Sequence, residues 1–520
     1  MLNFCPFDFQ KIRDLDDLAY ELIFMHGHDL DELKKKLNGD ANFIKAEEDK
    51  KRKDAFADSS KRYILKATNG RKNEVNGLKK LLRLIDSETE DADDRRQTTD
   101  GFERSDEKDL ETFTEIEYEK LEDGVYEFSY AATDETMGGV FMRAYPCCPS
   151  CHSRFPKGWF DADDFCAIDF MAKKGHGKTT LLLSLMANNW KALQRPGEGW
   201  QISAAHDRHR NLDFWYSRYQ EMSDEMTKKT ARRKDCFCPD STQVDKWVSP
   251  VFLKAKYQDK LMIVGLYDNS GENLEHIDEH DVRMLALSNM FAHIYLIEPS
   301  QMHVALMQES SSDKEGAMKL MSIEEQGEFQ KLHDGDRILA RELLTAAKMP
   351  VPEGQTDAMD MVSEYISFME DLDLEDVLAD QHICATIIKS DLLKELDEVN
   401  NIENASYLFA NTAGNVFQNQ IARQRITKKV FEELVFSDPD TDKEILESFG
   451  SVSYHCVSAI GCDTEEKEVF VTATKTVNNE EVEMKDSIGK KRVLKGEYAP
   501  IRIADPIMNC LQKRVEMLGW

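Results

Sequence analysis

Short apolar runs, separated by segments with helical spacing, dominate residues 161–520. The runs that predict buried strands are 165–171, 250–257, 261–267, 291–297, 383–388 and 452–457. Unbroken apolar runs of this length, bounded by turn residues, are typical of strands that are covered on both faces. Because they alternate with helices, the pattern predicts an α/β fold with a mostly parallel sheet and helices on both faces. The tight connection at 258–260 predicts one antiparallel edge strand.

The first 124 residues show a different pattern. Apolar residues recur at helical spacing over 11–37 and again over 65–84, which predicts a helical N-terminal module within residues 1–85. Residues 86–124 are rich in Asp and Glu and have little periodicity, which predicts an acidic linker. A short amphipathic element around Ile116 is the alternative for this segment.

Two further elements interrupt the simple alternation of strands and helices. Residues 125–145 read as two strands with a turn at two adjacent glycines, which predicts a β-hairpin inside an element that spans 125–160. Residues 300–380 are largely helical in pattern and are long for a connection between two strands, which predicts a helical insertion in the domain that spans 161–520.

Composition narrows the classes of protein that fit these elements. A chain of 520 residues is too long for one hydrophobic core, so several domains are expected. Asp and Glu outnumber Lys and Arg by 98 to 67, and the net charge of −31 argues against nucleic acid as the main partner. No apolar run approaches the roughly 20 residues of a membrane helix, and the N-terminus lacks a secretory pattern. We therefore expect a cytoplasmic protein without a membrane span.

The 11 cysteines are scattered, so reduced thiols are the default expectation. Cys148 and Cys151 are an exception, because the sequence Cys-Pro-Ser-Cys has the spacing of a zinc knuckle. Four ligands are needed for a tetrahedral site, and Cys236 with Cys238 are the best candidates for the other half. Cys166 and His152 are the alternatives to that pair. Two structural thiols without a bound ion remain an equal interpretation of the motif.

The loop between the first run and the next helix carries the strongest candidate chemistry. Residues 172–179, AKKGHGKT, follow a buried strand and open an apolar helix, as a phosphate-binding loop requires. Glycines let backbone N–H groups surround phosphates, a lysine supplies a positive charge, and a threonine hydroxyl can bind Mg²⁺. The helix N-terminus adds its dipole. The candidate ligands are Lys174, Gly175, His176, Gly177, Lys178, Thr179 and Thr180, with Lys178 also assigned a catalytic role.

A second motif follows the run 261–267. Asp268 stands at the end of that predicted strand, where a carboxylate can hold Mg²⁺ through water together with Thr179. Gly271 can present its N–H to a γ phosphate. Glu272 follows directly, at the place where a side chain that positions a water molecule is expected.

The last motifs follow the two final strands of the predicted sheet. Asp391 comes after the run 383–388, and its carboxylate can accept both N1–H and N2–H₂ of guanine, which adenine does not offer. The aliphatic stem of Lys389 can lie over the base. Ser458 and Ala459 follow the run 452–457, and their backbone can meet guanine O6. A nucleotide site with guanine preference is therefore predicted.

In this order, the four motifs resemble the TRAFAC class of P-loop GTPases. The matching sequences are AKKGHGKT at 172–179, DNSG at 268–271, IKSD at 388–391 and SA at 458–459. The cysteine knuckle and the closing sequence APIRIADPIMNCL are more narrowly similar to the double-GTPase-type domains of prokaryotic conflict and defence systems. The resemblance implies a Ras-like P-loop NTPase fold, GTP and GDP as ligands, Mg²⁺ as cofactor, and an antiphage switch that hydrolyses GTP.

Three positions depart from the family pattern. Ala172 replaces the first glycine of the loop, and Ile388 replaces an Asn or Thr that braces the loop in related proteins. Glu272 stands where related GTPases often have Gln, and a carboxylate there either acts as a base or is repelled by the γ phosphate. Hydrolysis is consequently expected to be slow or to depend on a partner.

Several assignments stay open at this level. The switch threonine is placed at Thr242, Ser249, Thr227 or Thr230, and an arginine finger at Arg232 or Arg233 is weighed against simple surface charge. The main alternative function is a nucleotide-gated assembly or scaffold protein with little hydrolysis, whose helical insertion and N-terminal module contact a protein partner or a second copy. An ATP-using kinase or ATPase ranks third.

Overall fold

The structural description rests on a defined part of the chain. The computed structural model of the protein describes residues 2–12, 18–25, 28, 31, 33, 46–48, 62–65, 78–83, 85–86, 116–130, 139–172, 176–194, 196–206, 214–228, 236–239, 250–268, 288–299, 358–395, 397–409, 416–436, 438–462, 464–477 and 480–520. Two units are distinguished. The first comprises 1–165, 205–214 and 261–263, and the second comprises 166–204, 215–260 and 264–520.

The first unit contains a six-stranded sheet with the order β2-β3-β1-β6-β5-β4. Its strands are β1 Ala19–Phe24, β2 Ala46–Glu48, β3 Arg62–Leu65, β4 Ile116–Lys120, β5 Tyr126–Tyr130 and β6 Val140–Cys147. All neighbouring strands pair antiparallel. The core on this sheet includes Leu22, Phe128 and Met142, and Leu81 from the helical residues 78–83 packs into the same cluster.

The predicted helix over 11–37 is wrong at its centre, where β1 runs through the middle of the sheet. All six residues of β1 are buried, and the strand is paired with β3 on one side and β6 on the other. A short apolar run fits helical and strand periods equally well, and the sheet partners that decide between them lie about 40 and 120 residues away in sequence. The second predicted helix is confirmed over 78–83.

The expected division into module, linker and hairpin is also corrected. The hairpin is confirmed as β5 and β6, which pair antiparallel. However, β4 lies inside the predicted linker 86–124 and pairs with β5, so one sheet joins strands from all three segments. Residues 87–115 lie outside the described part of the chain, and the prediction for them stays a prediction.

The second unit is built on a seven-stranded sheet with the order β13-β12-β11-β7-β10-β9-β8. Its strands are β7 Asp164–Met171, β8 Trp200–Ala204, β9 Val251–Tyr257, β10 Lys260–Tyr267, β11 Ala292–Ile297, β12 His382–Ile387 and β13 Ser451–Cys456. Strands β7, β11, β12 and β13 are parallel, and β8 pairs antiparallel with β9. The two residues between β9 and β10 allow only an antiparallel turn. The α/β fold with a mixed sheet is therefore confirmed, with β8 as an additional edge strand.

Helices accompany this sheet. They are α1 Lys178–Trp190, α2 Phe214–Thr227, α3 Asp360–Glu370, α4 Glu375–Leu378, α5 Asp397–Asn401, α6 Val416–Val430, α7 Pro439–Glu447 and α8 Asp505–Leu518. A large core cluster joins Tyr365 of α3, Ile383 of β12 and Leu446 of α7. Of the predicted insertion 300–380, the helices α3 and α4 are confirmed, and residues 300–357 lie outside the described residues.

A long two-stranded ribbon follows β13. Its strands are β14 Thr464–Val477 and β15 Glu480–Leu494, which pair antiparallel as a sheet of their own with a register shift at Val469 and Phe470. The predicted polar hairpin over 468–498 is thereby confirmed. Among the helices that the structure describes, none has both the length and the apolar character needed to cross a lipid bilayer.

Candidate functional site

The loop predicted to bind phosphate connects β7, in the middle of its sheet, to α1. Gly177 caps α1 with a φ of 83°, in the left-handed region where a side chain is strained, so the glycine is needed for the turn itself. Lys178 and Thr179 form the first turn of the helix, followed by Thr180. The side chain of His176 is buried beside them. Lys174 and Gly175 lie outside the described residues, as do Gly271 and Glu272.

Thr179 and Asp268, which are 89 residues apart in the sequence, are in direct contact. The Thr179 hydroxyl donates a hydrogen bond to Asp268 Oδ2 at 2.8 Å, because β10 lies next to β7 and ends at the same edge of the sheet. Burial raises the pKa of the Asp268 carboxyl, and the charge of Lys178 and the Thr179 hydrogen bond oppose that rise. Asp268 Oδ1 is buried and has no hydrogen-bond partner among the described residues.

The Lys178 amine turns back over its own loop. It donates to the carbonyl oxygen of Ala172 at 2.5 Å, at the position where the family pattern has its first glycine. A buried ammonium beside a carboxylate and a helix N-terminus makes this edge of the sheet suited to an anion and a divalent cation together. An oxygen without a partner on Asp268 fits a water molecule held by Mg²⁺.

The position that departs from the family pattern, Ile388, still contacts the loop. Its Cδ1 atom lies 3.9 Å from the place where a Cβ on Gly177 would be, so the apolar side chain is next to the turn. A polar link comes from Glu298 at the end of β11. Its carboxylate forms an ion pair with Lys389 and lies 3.8 Å from His176 Nε2. No local motif marked Glu298 as a residue that contacts both Lys389 and His176.

The predicted base-binding residues follow β12 and β13, two parallel neighbours. Lys389 has a φ of 52°, which is unfavourable for a residue with a Cβ and is a feature of many ligand sites. Ser390 N–H donates to the carbonyl of Val457, which ties the two loops together. The Ala459 carbonyl accepts a 2.5 Å hydrogen bond from Ser184 of α1, so the same helix begins at Lys178 and holds this loop. Asp391 and Ser458 stand beside these groups in the sequence.

A candidate metal centre lies in the first unit. The ligand atoms of Cys5, Asp8, Cys148 and Cys151 are all within 4.8 Å of one another. Cys5 Sγ and Cys151 Sγ are 3.7 Å apart, and the Cys148 thiol is 3.6 Å from Asp8 Oδ2. Zinc bonds to sulfur at about 2.3 Å, and tetrahedral geometry then places two sulfurs roughly 3.8 Å apart. The observed spacing fits a closed, four-ligand structural site.

The two halves of this centre, which begin at Cys5 and at Cys148, have the same backbone structure. In both, the cysteine N–H donates to the carbonyl five residues later, and its carbonyl accepts from the N–H four residues later. In both, the N–H two residues later donates to the cysteine sulfur at 3.4 Å. Phe9 and His152, at equivalent places, have φ values of 53° and 58°. Two matching turns that present N–H groups to sulfur favour bound thiolates over ordinary buried thiols.

The charges within the group also fit a cation. Hydrogen bonds from the Cys148 and Cys5 thiols hold the pKa of the Cys151 thiol below its ordinary value. Burial raises the pKa of Cys5, and burial and the nearby Cys151 raise that of Asp8. Without a metal ion, these shifts favour the protonated form of Cys5 and the thiolate form of Cys151. A divalent cation replaces those protons and offsets half of the charge of three thiolates and one carboxylate, which burial disfavours.

The predicted second half of the zinc site is wrong. Cys148 and Cys151 are joined by Cys5 and Asp8, whereas Cys236 and Cys238 belong to the second unit and flank a bridge to β15. The alternatives His152 and Cys166 are not in the group either. The signal was present in the sequence, because CPFD at 5–8 repeats the form of CPSC at 148–151. Asp in place of the second Cys concealed it.

Relatives give no independent view of these sites. Comparison with protein-family models and with curated proteins gave no match to this chain.

Proposed function

We propose that the protein binds GTP together with Mg²⁺ and hydrolyses it slowly as a molecular switch. The observation that carries the proposal is the contact of Thr179 with Asp268 at the carboxyl ends of two adjacent strands. These two side chains are separated by 89 residues and have the chemistry of a magnesium site. Asp268 Oδ1, which is buried and has no hydrogen-bond partner within the described ranges, supports the same interpretation.

The sheet order supports the finer assignment to a Ras-like P-loop NTPase. The strand that leads into the glycine loop is central, and the strand that ends at Asp268 lies directly beside it. The antiparallel strand β9 comes between Thr179 and Asp268 in sequence, as the TRAFAC resemblance implies. In the sheet, β12 and β13, which precede Lys389 and Ser458, lie on the side of β11 that is away from β7.

At the phosphate end, the chain contributes charge and fixed dipoles. Lys178 exchanges the Ala172 carbonyl for phosphate oxygens, and the N–H groups of the first turn of α1 face the same anion. Thr179 and Asp268 would hold Mg²⁺, which neutralises charge between the β and γ phosphates when bound. The roles of Gly271 in sensing the γ phosphate and of Glu272 in positioning water remain predictions on residues outside the described part.

Guanine preference should depend on Asp391. We expect Asp391→Ala to lower the preference of the protein for GTP over ATP by about 100-fold, because two charge-assisted hydrogen bonds to guanine are lost. Competition of GTP and ATP for a fluorescent guanine nucleotide measures this ratio. Glu403→Ala, an exposed acid in the following segment, is the matched control. An unchanged ratio in Asp391→Ala would remove the guanine-reading role.

Glu298 should contribute more to binding of the guanine base than to binding of the phosphates. Glu298→Ala removes the partner of Lys389, and we expect the affinity for GTP to fall roughly tenfold, the size of one hydrogen bond to a charged group. Binding of inorganic tripolyphosphate, which has no base, should change less. Titration of both ligands against wild type and variant gives the answer. An equal loss for the two ligands contradicts a role at the base.

A second candidate function is supported by the ribbon of β14 and β15. These strands have 14 and 15 residues. Residues 236–238 pair with the end of β15 at 492–494, and the rest of the ribbon has long edges that suit pairing with another chain. If GTP binds but no phosphate is released, we favour a nucleotide-gated assembly protein, and the mass in solution should then differ between GDP and a non-hydrolysable GTP analogue. A defence function remains a proposal that rests on the resemblance, and a cytoplasmic location remains one that rests on the sequence pattern.

A further inference from the structure

A second group of metal-binding side chains lies in the core of the second unit. His382 and Cys384 point to one face of β12, and Cys510 of α8 meets them there. His382 is 1% exposed, and both cysteines are fully buried. The ligand atoms of these three residues lie within 4.8 Å of one another. Apolar side chains usually fill such a core, because burying polar groups costs free energy unless they have partners.

One ring nitrogen has more close polar neighbours here than it can satisfy by hydrogen bonding. His382 Nε2 lies 3.3 Å from Cys384 Sγ, 3.0 Å from Ser453 Oγ and 2.9 Å from Asn509 Oδ1. One ring nitrogen has a single proton or a single lone pair, so it satisfies one of these partners. Cys384 Sγ is also 3.4 Å from Cys510 Sγ. Two sulfurs and an imidazole nitrogen thus lie close together, and the Asn509 amide oxygen is next to that nitrogen.

The imidazole is oriented as a metal ligand would be. His382 Nδ1 is 2.7 Å from Ser451 Oγ, which can accept a hydrogen bond from Nδ1–H. In the tautomer with that proton, the lone pair is on Nε2, the nitrogen that lies 3.3 Å from Cys384 Sγ. Metal-binding histidines typically have their other ring nitrogen held by a hydrogen-bond acceptor in this way.

We propose that His382, Cys384 and Cys510 bind a second zinc ion, with Asn509 Oδ1 at the fourth position. A donor set of two sulfurs, an imidazole and an oxygen suits zinc, and the fully buried surroundings indicate a structural ion. The ion ties α8 to β12, whose end leads to Lys389 and Asp391. This site is independent of the one at Cys5 and Cys148, and it does not require that GTP is the ligand.

Metal content separates the two sites. We expect purified wild type, dialysed against a weak chelator, to contain two zinc ions per chain. Cys148→Ser should retain one, and the double change Cys384→Val with Cys510→Ala should also retain one. Cys456→Ala, a buried cysteine of the neighbouring strand β13 outside both groups, should retain two. Elemental analysis normalised to protein concentration gives these numbers.

Wild type and Cys148→Ser decide the proposal even if the core variant does not fold. One zinc in wild type together with none in folded Cys148→Ser overturns it. In zinc-loaded Cys148→Ser, X-ray absorption should show two sulfur neighbours and the outer-shell signal of one imidazole, because the second group contains a histidine and the first does not. Three sulfurs, or no imidazole signal, would contradict the assignment. A disulfide between Cys384 and Cys510, detected by the intact mass under non-reducing conditions, would also overturn it.

Discussion

Replacing Lys178 with alanine is expected to lower the affinity for GTP by at least about 100-fold, which corresponds to about 2.7 kcal/mol. The variant loses the point charge opposite the phosphates, and a hydrogen bond between two charged groups is worth about 1.5–3 kcal/mol. It also leaves the buried Asp268 without the cation that lowers its pKa. Titration with a fluorescent GTP analogue in the presence of Mg²⁺ measures the loss, and phosphate release should fall to background.

A lysine just beyond the end of the same helix provides the control. Lys191, directly after the last residue of α1, is exposed, so Lys191→Ala changes the net charge by the same amount without touching the glycine loop. We expect its affinity for GTP to match wild type. If Lys178→Ala binds GTP as wild type does, or if both variants weaken equally, the assignment of this loop to phosphate is wrong.

The second large effect is expected at the metal centre of the first unit. Cys148→Ala should release zinc and destabilise this unit by more than about 4 kcal/mol, because the free energy of binding a structural zinc is free energy of folding. Trp159 is fully buried, and its ring packs edge-on against Phe4, next to Cys5. A red shift of tryptophan emission at lower urea concentration than in wild type should report the loss, and chelation should reproduce it in wild type.

Cys147 is a close control for that experiment. It is adjacent in sequence and fully buried, but it is not in the metal group. Cys147→Ala should therefore retain zinc and show the smaller destabilisation of an ordinary buried truncation. Equal effects of the two substitutions, with zinc retained in both, would show that Cys148 is a packing residue.

The sequence was most informative about strands that are buried on both faces. β7, β11 and β12 are mostly apolar and are buried at nearly every position, as strands covered on both faces are. β1 has the same character, but Leu15 and Leu18 before it are three residues apart, which fits a helix, and only its partners β3 and β6 decide. Strand pairing across more than 100 residues is not encoded in local spacing, and this explains the error in the N-terminal module.

The candidate sites divide in the same way. Local motifs located Lys178, Thr179 and Asp268, and the structure brings the last two together. By contrast, the partners of Cys148 were misassigned, since Cys5 and Cys151 are 146 residues apart and nothing local links them. At position 388 the motif predicts that a polar contact to the phosphate loop is missing. In the structure, Ile388 lies next to Gly177, and Glu298 contacts His176 of the loop. These contacts depend on the order of the strands in the sheet, which the motif does not contain.

The helix α1 gives the proposed site the properties of a bivalent receptor. It begins at the phosphate-side residues, and Ser184, five residues after Thr179, holds the loop predicted to face the base. Five helical residues span about 7.5 Å without an internal hinge. Anchoring the polyphosphate therefore raises the effective concentration of the base at its own subsite. Guanosine and tripolyphosphate should each bind far more weakly than GTP. The binding free energy of GTP should exceed the sum of the binding free energies of the two separate ligands.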